Sequence, residues 1–124
     1  MSEKKEEKLT YAMTEESAIR QISQANQLMN RAKCLLKTYM CEEGLLKYED
    51  DAVQVLAEYM TNSKFYVGML EKHLFSGQRI KNKKTGQDNI VVPHEDFNLI
   101  SSYLVITAAC ENELEALGIS MRLH

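Results

Sequence analysis

Three stretches of this chain carry apolar residues at alternating steps of four and three, the spacing that gathers side chains on one face of an α-helix. In the first, Ala18, Ile22, Ala25, Met29, Ala32, Leu36 and Tyr39 form the seam, widened by Ile19, Leu28, Leu35 and Met40. Thr14 can cap its first free amides, Glu15 and Glu16 suit the positive end of the helix dipole, and Gly44 suits its end. The second runs from Glu49-Asp50-Asp51 through Ala52, Leu56, Tyr59, Ser63, Tyr66, Leu70 and His73 to Ser76-Gly77. Gly68 and the run Thr61-Asn62-Ser63 weaken it, so a break near Asn62 competes with the continuous helix, which is the expected form. The third starts at Pro93 with Glu95 and Asp96 in its first turn. It follows Phe97, Ile100, Leu104, Thr107, Cys110, Leu114 and Leu117 inward and closes at Gly118.

Between the second and third helices the pattern changes. Gln78–Lys81 and Asn89–Val92 flank a polar, glycine-containing connection and read as a small β-hairpin. Two strands alone are marginal in water, so the hairpin must lean on the helices or on another chain. The tail Ile119–His124 alternates apolar and polar residues, which suits a short C-terminal strand beside that hairpin. Residues 1–12 read as a flexible leader, with Tyr11 and Met13 free to dock, and residues 13–124 as a single helical domain. The expected fold is mainly α: a bundle of three long helices with the hairpin inserted between the second and third. The short link after Gly44 makes the first two antiparallel and leaves the third's direction open.

At 124 residues the chain holds one ordinary domain. Its 44% apolar content is too high for disorder, and one Pro with five Gly argues against a loop-rich or multi-stranded protein. Cys34, Cys41 and Cys110 are an odd set without a CxxC pair, and Met1–Lys8 alternates Glu and Lys with no apolar signal. Both point to the cytoplasm, with thiols serving as small buried hydrophobes. The longest uncharged run, Phe97 to Cys110, is fourteen residues, short of the roughly 18 expected of a membrane span.

That same run constrains assembly. Leu104–Cys110 is apolar around nearly two turns, and a helix apolar on every side must be covered on every side. Either the third helix lies centrally, under the hairpin and leader, or it packs against another copy. Self-association is the favoured reading, with Ser101, Leu104, Val105, Ala108 and Ala109 as the contact and a two-fold dimer as the commonest closed form.

The second candidate surface is basic. Arg79, Lys81, Lys83 and Lys84 against Asp88 give the hairpin +3 in a chain whose remainder is −6. Four cations on one loop can meet phosphates of a nucleic acid or nucleotide. Solvated edge charges explain them as well, and no aromatic residue lies between Phe75 and Phe97 to stack a base. Glu42, Glu43, Glu49, Asp50, Asp51 and Glu58 form an acidic counterpart that reads as helix-start and surface charge.

His73, His94 and His124 stand apart without ligand spacing, so no metal or cofactor is expected. Glu111, Glu113 and Glu115 fan around their helix, and no nucleophile stands beside a base. The seven Met and six Tyr fall on or beside the helical seams, where core filling accounts for them. The resulting expectation is a non-enzymatic, self-associating protein that binds a protein partner. Phosphate binding by the hairpin is the alternative.

Overall fold

The computed structural model describes residues 10–41 and 49–121. In chain order the elements are β1 (Thr10–Thr14), α1 (Glu15–Cys41), α2 (Glu49–Ser76), β2 (Arg79–Lys81), β3 (Asp88–Pro93) and α3 (His94–Ala116). The three helices, the hairpin between α2 and α3, and the side-by-side packing match the sequence pattern.

Thr14 caps α1 as expected, its hydroxyl accepting from the Ser17 amide at 3.0 Å. α2 runs unbroken through Asn62. There the weak run is compensated: the Asn62 side chain donates to the Glu58 carbonyl at 2.9 Å, while Ser63 turns into the interior. At the end of α3, Gly118 takes φ +87°, its amide bonds the Glu115 carbonyl, and the Ile119 amide bonds the Leu114 carbonyl. This is a Schellman closure, and it seats Ile119 against Leu114 in the core. The expected stop at Gly44, the side chains of Tyr39, Met40 and Cys41, and His124 lie outside the described residues.

The sheet differs from expectation in its third strand. The strand order is β1-β3-β2, antiparallel throughout. The partner of the hairpin is therefore Thr10–Thr14, residues that start inside the expected leader, and not the C-terminal tail. Residues 119–121 form no strand. The alternation of the tail does place Ile119 and Met121 in the core, but Ile119 arrives there through the turn, and the guanidinium of Arg31 holds the Ser120 carbonyl at 2.6 and 2.8 Å. Tyr11 and Met13 do dock. Tyr11 stacks on Phe97 with ring centroids 3.7 Å apart, and Met13 packs on the core.

α2 is the central helix, with α1 and α3 packed along it and touching each other far less. Two apolar clusters result. One, at the sheet end, gathers Ala18, Tyr66, Val67, Leu70 and Ile100 under Ile90 and Val92 of β3. The other, at the tail end, gathers Ala32, Ala52, Leu56, Tyr59, Cys110 and Leu114 with Ile119 and Met121. Among the described residues no helix is long and apolar enough to cross a membrane.

Candidate functional site

α3 lies on the flank of the bundle, not at its centre, and this decides which of its faces is open. Ile100, Thr107, Cys110 and Leu114 turn inward as the spacing predicts. Leu104 and Leu117, expected on the same stripe, are partly exposed. The N-terminal turn is covered where Tyr11 meets Phe97. Beyond it the outer face is bare: Val105 is 67% exposed and Leu104 44%, Ala108 and Ala109 are exposed, and Ser101 is half-buried. At 100° per residue, Asn98, Ser102 and Asn112 fall on the same side as Val105, and all three are exposed. The five residues expected to form a contact thus lie together on or beside a smooth, uncharged surface.

The basic hairpin is less united. Arg79 turns back onto the end of α2, where its guanidinium donates to the carbonyls of His73, Leu74 and Gly77 and pairs with Glu15 at 3.0 Å. A cation placed on the last carbonyls of a helix answers their exposed partial charge, so Arg79 is a helix cap. Lys81, Lys83 and Lys84 remain exposed. Lys81 ends β2, and the turn that carries Lys83 and Lys84 is hydrogen-bonded: the Asn82 carboxamide oxygen accepts from the amides of Lys84 and Thr85, and Gly86 supplies φ +78°.

A third feature has no counterpart in the sequence reading. Midway between the two apolar clusters, α1, α2 and α3 frame a cleft of about 130 Å³ lined by Gln21, Tyr59, Ser63, Tyr66, Thr107 and Glu111 among others. The Tyr59 hydroxyl donates to Glu111 at 3.1 Å, and the Tyr66 hydroxyl to Gln21 at 2.7 Å. Burial, and for Tyr59 also the Glu111 carboxylate, raises both phenols above their usual range. They stay protonated donors at ordinary pH, and the polar layer satisfies itself internally. Its residues are too far apart in sequence for any spacing to reveal it.

The cysteines divide. Cys110 is buried as expected, and burial with Glu58, Glu113 and Glu111 nearby pushes its thiol up to about 11. Cys34 is exposed, contrary to the reading of the thiols as buried hydrophobes. His73 is buried at the end of α2 with Nε2 2.9 Å from Asp96, and His94 opens α3 beside Tyr11. Among the described residues no group of three or more His, Cys, Asp or Glu is placed to hold a metal ion. No family model, curated protein or solved structure matches this chain.

Proposed function

We propose that this chain is a cytoplasmic, self-associating interaction protein that works by binding a protein partner rather than by catalysis, with the outer face of α3 as its contact. One observation carries the reading: an uncharged helix face that a single copy leaves in water, with Val105 two-thirds exposed and Leu104 nearly half. Burying apolar surface is worth on the order of 25 cal/mol per Å², so a face of this kind returns several kcal/mol when covered. The face also meets the compositional mark of a contact core, which is depletion of charge.

Phosphate binding by the hairpin is the lesser reading. With Arg79 committed to the α2 terminus, only Lys81, Lys83 and Lys84 are free to meet an anion. Three lysines on a turn are also what keeps a sheet edge from pairing with strangers.

The test is size exclusion with light scattering on the purified chain. A mass that is a multiple of 14.2 kDa is expected, falling to a single copy in Val105→Glu, a change at an exposed position that should leave the fold intact, as urea unfolding would show. A single copy at the highest attainable concentration overturns the proposal.

A further inference from the structure

We propose that the outer face of α3 docks into the groove between α1 and α2 of a second copy, joining copies head to tail. This rests on the self-association proposed above and identifies the surface that receives α3.

The groove lies on the side of the α1–α2 pair turned away from α3, and no α3 residue lines it. It encloses about 800 Å³ over a floor that includes Met29, Met60 and Val67, with Lys33 toward the end where Leu36 and Ala57 lie and Lys64 midway along α2. A second hollow of about 510 Å³, bounded by Ile19 and Phe75, continues it, and the two share Asn26, Asn30 and Glu71. Phe75, at its far end, is 77% exposed. Among the described residues two surfaces are therefore without a partner: one convex helix face and one helix-wide groove.

Gly68 is the first sign that a backbone comes to lie in this groove. It sits inside α2, where glycine costs about 1 kcal/mol relative to alanine. Its φ is not positive, and a Cβ added there meets nothing within 4 Å. Nothing among the described residues uses the missing side chain. A helix lying in the groove does, and a helix faced with Ser101, Val105, Ala108 and Ala109 is narrow enough to approach it closely.

Charge selects the partner and its direction. α3 carries five acidic residues and no Lys or Arg, with Glu95 and Asp96 near one end and Glu111, Glu113 and Glu115 near the other. Pairing α3 with itself along its length sets acid against acid in either direction. The groove offers Lys33 and Lys64 instead. Leu99 and Glu113 are fourteen residues apart on α3, as are Ile19 and Lys33 on α1, about 21 Å in each case. With α3 lying parallel to α1, Leu99 meets Ile19 and Phe75, Ser101 and Ser102 reach Glu71 as hydroxyl donors, and Val105 passes beside Asn26 and Gly68. Glu113 then comes level with Lys33, and Lys64 stands nearer the middle of the groove. Because donor face and receiving groove are different surfaces, the contact is heterologous and propagates into rings or filaments.

Two variants and their mixture test this. Gly68→Gln fills the groove with a better helix former and should fold at least as well as the parent, as urea unfolding would show. Val105→Glu spoils the donor face. Each alone should lose self-association in light scattering. Mixed in equal amounts they should form a pair of twice the chain mass and no larger, because each supplies the face the other lacks. If Gly68→Gln assembles like the parent, or if the mixture stays as single copies, the groove is not the receptor, even where Val105→Glu shows that self-association through α3 stands. A parent that is itself a single copy at the highest attainable concentration removes both readings together.

Discussion

The two ends of the bundle bury similar apolar clusters but are closed by opposite means. At the sheet end the lid is built from distant pieces of chain: β1, from the N-terminal side of α1, pairs with β3, nearly eighty residues later, and Ile90 and Val92 press onto the helices. At the tail end the lid is local. A Schellman turn at Gly118 folds Ile119 and Met121 back beside Leu114, only a few residues away. The polar layer around Tyr59, Tyr66 and Glu111 separates the two. The difference teaches that one helical framework accepts either a non-local or a local closure, provided each covers its apolar cluster.

The strongest way to break this comparison is to hollow out each end. Ile90→Ala at the sheet end and Leu114→Ala at the tail end each remove a fully buried side chain. Each should cost about 2–5 kcal/mol in urea unfolding. Because α2 runs through both clusters, unfolding should remain a single transition, and the losses should add in the double variant to within about 0.5 kcal/mol. Two separate transitions in either variant would show that the ends are independent units.

The closure devices come next in size. Arg79→Ala strips the carbonyls of His73, Leu74 and Gly77 of a cationic donor and releases Glu15. A loss of about 1.5–3 kcal/mol is expected from charge-assisted bonds of this kind. Gly118→Ala meets no atom within 4 Å, so its cost is purely that of a left-handed conformation, about 1–2 kcal/mol. Urea midpoints ordered the other way would mean that the local closure is the more heavily stressed of the two.

The same contrast explains what was legible in the amino-acid pattern. Local signals read correctly: the Thr14 cap, the four-three seams apart from Leu104 and Leu117, the Gly118 stop and the hairpin around Gly86 all act within a few residues. Non-local pairing did not. Thr10–Thr14 starts inside the expected leader and has nothing nearby to mark it as a strand, because its partner lies beyond two helices. The tail showed the right inward alternation, but period two alone does not separate a strand from a turn that places every second side chain in a core. The apolar girth of α3 allows either a central position or a contact with another copy, and the central position belongs to α2, which packs on both neighbours. Of the site, the contact residues on α3 were visible because a missing charge is visible. Arg79 reads like the neighbouring lysines in the sequence, because composition does not tell a cap from a ligand. The groove was hidden because Gly68 and Lys33 belong to different helices.

The smallest effect separates the ends by titration. Cys110, in the tail-end cluster, has its thiol raised from the ordinary 9.0 to about 11, chiefly by burial. Below pH 9 the thiol is protonated in both folded and unfolded chains and contributes no pH dependence. Between 9 and 11 the unfolded chain releases the proton while the folded chain keeps it, so stability falls as pH rises, and the contribution levels off above 11. Tyr59 and Tyr66 act in the same direction but start later, since their unfolded value is 10.0. Urea midpoints measured across this range should therefore begin to fall near pH 9 in the parent and only near pH 10 in Cys110→Ala, once each curve is referred to its own value at neutral pH. If the two onsets coincide, the thiol is not held in the folded core in its protonated form, and the tail end is looser than the packing of Leu114, Ile119 and Met121 around it implies.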